Sequence, residues 1–116
     1  MELKSDWKKD VVAEPWRKHL TDAADLIRKH GHVKGAFRGR DGEYCTIGAI
    51  VHAATGTVVH APWGAPPVDM QAIEAAQRFA KTVTGSEYVG SICDWNNTRV
   101  RTASDVIAAL EACARM

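Results

Sequence analysis

The sequence predicts a mainly α fold: a compact single-domain bundle of four to five helices around a buried central helix at 45–55, with a short β-hairpin near 33–46. Three observations predict it. Apolar residues recur at helical steps in three separate stretches, Trp16-Leu20-Ala23-Ile27, Ala72-Ala76-Phe79-Ala80-Val83 and Val106-Leu110-Cys113. The run from Cys45 to Thr55 is apolar or small at nearly every position and stops at Gly56. Finally, 116 residues with 46% hydrophobic and 25% charged side chains suit one domain that buries a real core.

The elements follow in order. Residues 1–14 are polar apart from Trp7, Val11 and Val12 and read as an N-terminal arm, so the domain proper is 15–116. Pro15 suits a first helical turn, because its missing N–H is unpaired there in any helix. Gly31 ends that helix, and Arg28, Lys29 and His30 complement the negative end of its dipole. Val33, Phe37 and Tyr44 around Arg40-Asp41-Gly42 predict the hairpin, since Asp-Gly favours a tight turn. Thr57 to Pro67 holds three prolines with Val58, Val59, His60 and Trp63, which excludes a long helix and predicts an exposed loop. Pro67 starts the next helix and Gly85 closes it. Tyr88 to Trp95 makes two further turns before the polar Asn96-Asn97-Thr98. Thr102, three residues before Asp105, opens the last helix with a capping-box pattern.

Composition also bounds function. Fifteen basic and fourteen acidic residues give +1, too little for a nucleic-acid wrapper. The charge is uneven, +4 over residues 1–40 and −3 over 41–116. Cys45 to Ala54 is about half of the roughly 20 residues a membrane span requires. The N-terminus carries no secretory pattern, so a cytoplasmic protein is expected. Cys45, Cys93 and Cys113 are odd in number and widely spaced, which points to reduced thiols and away from a disulfide framework or a metal knuckle.

Several residues carry candidate chemistry. Cys45 sits at a predicted helix start, where the dipole lowers a thiol pKa; with His52, His60 or Asp94 as partner it would make a cysteine-dependent hydrolase. As a small residue among Ile47, Ala49 and Ile50 it is instead part of the core. Lys34, Arg38 and Arg40, with Arg99 and Arg101, define a nucleic-acid alternative, disfavoured because no basic recognition helix accompanies them. The five histidines lack metal-ligand spacing, so neither metal nor other cofactor is expected. Phosphate-loop, dinucleotide and serine-elbow motifs are absent from the sequence. Trp95-Asn96-Asn97 is the most distinctive polar motif; its amides either bind a ligand or satisfy helix ends, and the second reading is the stronger.

Cys45-Thr-Ile-Gly48-Ala49 and Trp95-Asn96-Asn97, followed by Arg101-Thr102 and Asp105-Val106-Ile107, resemble a small uncharacterised family of actinobacteria and their phages. Ala23-Ala24-Asp25-Leu26-Ile27 with His30-Gly31 is similar to that family's first helix and its terminating glycine. Where the family tends to carry Asp after Trp-Asn, this chain has Asn97. The resemblance implies a bacterial cytoplasm, including that of a phage-infected host, and treats Cys45, Gly48, Trp95, Asn96 and Asn97 as a structural motif.

The expected function is therefore non-enzymatic: binding of a bacterial host protein through Val59, His60 and Trp63 on the 57–67 loop. An aromatic on a proline-stiffened loop loses little entropy when it docks. Trp7 and Trp16 remain available for the core or for a homodimer seam.

Overall fold

Pro15 opens the first helix, and the computed structural model places that helix, α1, at Pro15–His30. Residues 14–36, 38–56, 70–98 and 101–116 are described. Four more helices follow among them: α2 (Thr46–Thr55), α3 (Met70–Thr84), α4 (Ser91–Asn96) and α5 (Ala103–Ala114). The protein is a mainly α single domain. The arm, apart from Glu14, and the 57–67 loop with Val59, His60 and Trp63 lie outside the described residues.

Each helix is stopped by the chemistry its sequence carries. Gly31 at the end of α1 takes φ 95°, a conformation that only glycine adopts freely, and its N–H returns to Ile27 O. Gly56 closes α2 in the same left-handed region at φ 75°. Thr102 starts α5 with a full capping box: its hydroxyl accepts from Asp105 N, and the Asp105 carboxylate accepts from Thr102 N. That reciprocal pair satisfies two helix-end donors that have no partner within the helix.

The core forms on α1, which packs against both α2 and α5, with α3 packed against all three. Leu20, Ile27, Ile50, Phe79, Val106 and Leu110 are fully buried there. Burial of each such side chain stabilises the fold by about 1.5–3 kcal/mol. Helix α2 is buried from Thr46 to Val51, while His52 to Thr55 are half-buried, so its last turn reaches the surface. Two α1 arginines tie α5 in place: Arg17 Nη1 donates to Ala114 O at 2.7 Å, and Arg28 Nη2 to Glu111 Oε2 at 2.7 Å.

The expected hairpin is reduced to a turn. Gly42 N donates to Gly39 O and Gly42 lies at φ 90°, so the Asp41-Gly42 turn is present. The flanking segments meet only through isolated bridges of Tyr44 with His32 and with Arg38. The reason lies in Tyr44, whose N–H and C=O both bond the 31–33 segment, through Gly31 O and Val33 N. The chain is thereby spent on closing the exit of α1 against the entry of α2.

Candidate functional site

Asn96 ends α4 and is 2% exposed. Its Oδ1 accepts Thr46 N at 2.9 Å and Thr46 Oγ1 at 2.6 Å, and lies 2.6 Å from His32 Nε2. Its Nδ2 donates to Val33 O at 3.2 Å and to Asn97 Oδ1 at 3.0 Å. A backbone N–H can only donate and a carbonyl can only accept, so both ends of the amide are assigned without ambiguity. His32 must then carry its proton on Nε2. One amide thus joins the exit of α1, the entry of α2 and the end of α4.

Asn97 extends the clamp. Its Oδ1 accepts Gly35 N at 2.9 Å as well as Asn96 Nδ2. Lys34 Nζ donates to Thr98 O at 2.7 Å. Trp95 is half-buried, edge-on to Phe79 with ring centroids 5.3 Å apart. Arg101 lies over the Trp95 indole at 4.2 Å and donates through Nε to Trp95 O.

Cys45 caps α2, its Sγ accepting Gly48 N at 3.2 Å, and is buried. Burial pushes its thiol up to about 11, against the weaker opposing effect of the Gly48 N–H, and neighbouring Cys93 adds to the rise. The sequence expectation that the helix start lowers this pKa therefore gives way to desolvation, which penalises the thiolate more than the helix start favours it. Gly48 supplies the capping N–H and is itself buried.

A second cluster surrounds Tyr44, which is 2% exposed. Its hydroxyl lies 2.6 Å from His52 Nδ1, the Arg38 guanidinium covers its ring at 4.4 Å, and His30 meets it edge-on at 5.7 Å. Burial, then Arg38 and His30, holds His52 below its usual 6.5. Sequence reading missed Tyr44 as a hub, and missed His32 as the partner of Asn96. Nothing local flags a contact across 64 residues.

Three of the five basic residues of the nucleic-acid alternative are tethered. Lys34 and Arg101 bond backbone carbonyls, and Arg38 donates to Gly42 O while covering Tyr44. Arg40 is exposed and Arg99 lies outside the described residues. Among the described residues no group of three or more His, Cys, Asp or Glu is placed to hold a metal ion, and no helix is long and apolar enough to cross a membrane.

Fold and clamp together define a small, mainly α domain whose tryptophan-diasparagine motif fastens three chain segments from within. The sequence profile of a family of unknown function, DUF6197, matches residues 12–116, and the chain belongs to that family. Neither a curated protein nor a solved structure matches it.

Proposed function

We propose that this protein is a non-catalytic binding module of the bacterial cytoplasm, of actinobacterial or phage origin, that acts on a host protein. The observation supporting this reading is that its distinctive chemistry is turned inward. The Asn96 amide serves five internal hydrogen-bonding contacts, and the Cys45 thiol stays buried and protonated at neutral pH. A nucleophile needs a thiolate and an open approach, and an amide that binds ligand needs donors or acceptors to spare. Val59, His60 and Trp63 are the proposed contact residues.

The test is affinity capture from an actinobacterial lysate with the tagged full chain. A stoichiometric partner held by the wild type and lost with Trp63→Ala, at an unchanged thermal melt, is expected. Full retention by Trp63→Ala removes the loop from the interface. Faster iodoacetamide labelling of Cys45 than of Cys93 and Cys113 would overturn the non-catalytic reading.

A further inference from the structure

We infer that the groove between the start of α1, the middle of α3 and the end of α5 docks an acidic segment of a partner protein. This rests on the reading that the protein binds other proteins, but it assigns a contact to residues other than Val59, His60 and Trp63. The groove encloses about 510 Å³ and its wall includes Trp16, Arg17, Arg78, Lys81, Glu87 and Met116.

Four features converge there. Trp16 is 4% exposed, with the guanidiniums of Arg17 and Arg78 each 4.5 Å from its ring centroid. Its indole Nε1–H is buried and has no acceptor among the described residues. A buried donor without a partner destabilises its surroundings until an acceptor reaches it. Arg78 uses only Nε, on Glu74 at 3.3 Å, which leaves its terminal N–H groups unspent. Lys81 stands one turn further along the same helix, with its side chain exposed.

The fourth feature is apolar. Among the described residues the large exposed hydrophobics are Tyr88 and Met116, at 74% and 69% exposure. Met116 lines the groove, and Tyr88 follows Glu87, which also lines it. A buried tryptophan flanked by arginines, beside an exposed methionine, is a composition in which protein interfaces are enriched.

Charge selects the occupant. Three cations line the groove against Glu74 and Glu87, with Glu14 held by Arg17 beside it, so among the described residues Lys81 is the one of the three with no carboxylate in an ion pair. Glu74 is already paired with Arg78, and Glu14 with Arg17, in half-exposed pairs within one helix neighbourhood that contribute little and exchange readily. A single incoming carboxylate meets Arg78 and Lys81, and an apolar neighbour in the same segment covers Met116. A polyphosphate strand would instead run its repeated charges past Glu74 and Glu87.

The experiment titrates the ¹⁵N-labelled full chain with the blocked peptide acetyl-Glu-Leu-Glu-Leu-amide and follows the indole N–H resonances. Trp16 is assigned by removing the others with Trp7→Phe, Trp63→Phe and Trp95→Phe. The Trp16 N–H resonance is expected to move downfield and saturate. Arg78→Gln combined with Lys81→Gln, both at exposed positions, should weaken binding by about tenfold while leaving the remaining spectrum in place. A Trp16 resonance unmoved at millimolar peptide overturns the proposal, as does an equal response to the Gln-Leu-Gln-Leu peptide. An equal response to acetate alone reduces the groove to a simple anion site and overturns the docking claim. Capture by the wild type that the Arg78 and Lys81 double variant retains, with a silent titration, removes this groove while the binding-module reading stands.

Discussion

The side-chain oxygen of Asn96 accepts both the backbone N–H and the hydroxyl of Thr46, a residue 50 positions earlier in the chain. Both are buried, so water cannot replace either bond. Asn96→Ala strands the buried Thr46 N–H and hydroxyl and also removes the bond to the half-buried Val33 carbonyl, and unpaired buried groups cost about 1–3 kcal/mol each. A loss of about 3 kcal/mol in urea unfolding is expected. Asn96→Asp should also destabilise, because Nδ2 is replaced by an oxygen facing Val33 O and Asn97 Oδ1. A loss below about 1 kcal/mol for the alanine variant would remove the clamp from the account of the fold.

Asn97 presents a contrast one residue later. Among the described residues only its Oδ1 is engaged, accepting from Gly35 N and from Asn96 Nδ2. An aspartate at this position accepts both equally well. Asn97→Asp should therefore change stability by less than about 0.5 kcal/mol, while Asn97→Leu loses both bonds and costs about 1 kcal/mol or more. Equal losses for the two variants in the same urea assay would contradict this.

Much of the fold was legible because its signals are local. Pro15, Gly31, Gly56 and the Thr102/Asp105 box mark helix ends through the geometry of their own residues, and the Trp16-Leu20-Ala23-Ile27 stripe marks a buried face. The candidate site was legible only as a motif. Trp95-Asn96-Asn97 stood out, but its partners His32, Val33, Gly35 and Thr46 lie far away in sequence and carry no local pattern. Tyr44 misled for a related reason. An aromatic beside a turn reads as a strand residue, whereas its N–H, carbonyl, ring and hydroxyl are each used by a different neighbour. The Cys45 thiol shows the limit of a one-dimensional argument, since a helix start predicts a lowered pKa and only packing reveals that burial dominates.

Gly31 joins α1 to this clamp at φ 95° and ψ 172°, and its carbonyl accepts Tyr44 N. Alanine there is strained whatever room it finds, and its Cβ would approach Glu43 Cγ at 3.2 Å. Gly31→Ala should cost about 2 kcal/mol, the scale of a forced left-handed backbone. Gly35→Ala, also at positive φ but with open space around it, isolates the backbone share of that cost. If the two variants melt together, the Glu43 contact contributes nothing.

Alkaline stability should depend on Cys45. Its thiol is raised from the usual 9.0 to about 11 in the folded chain. Between those values the folded state holds a proton that the unfolded state releases, so stability falls as pH rises through that window. The linked loss approaches about 2–3 kcal/mol by the top of it. Cys45→Ala should flatten the slope relative to wild type. Equal slopes in paired urea titrations would mean that the thiol is more solvated than its burial implies.

Acid stability turns on His52, with the opposite slope. Its imidazole is held below the usual 6.5, first by burial, then by Arg38 and His30. Arg38 on the turn and His30 on α1 are the positive groups that act on it, the Tyr44 hydroxyl lies against its Nδ1, and Lys29, Asp22 and Asp25 on α1 line the same surface depression as His52. Because the folded imidazole binds its proton less readily than the unfolded one, stability is full above about 6.5 and declines as pH falls below it. Arg38→Gln removes one positive neighbour and should move the His52 titration upward, as read from its imidazole resonances. His52→Gln should abolish its share of the slope. A wild-type His52 that titrates at or above 6.5 would show that Asp22 and Asp25 outweigh burial and Arg38, and the decline on acidification would then belong to other groups.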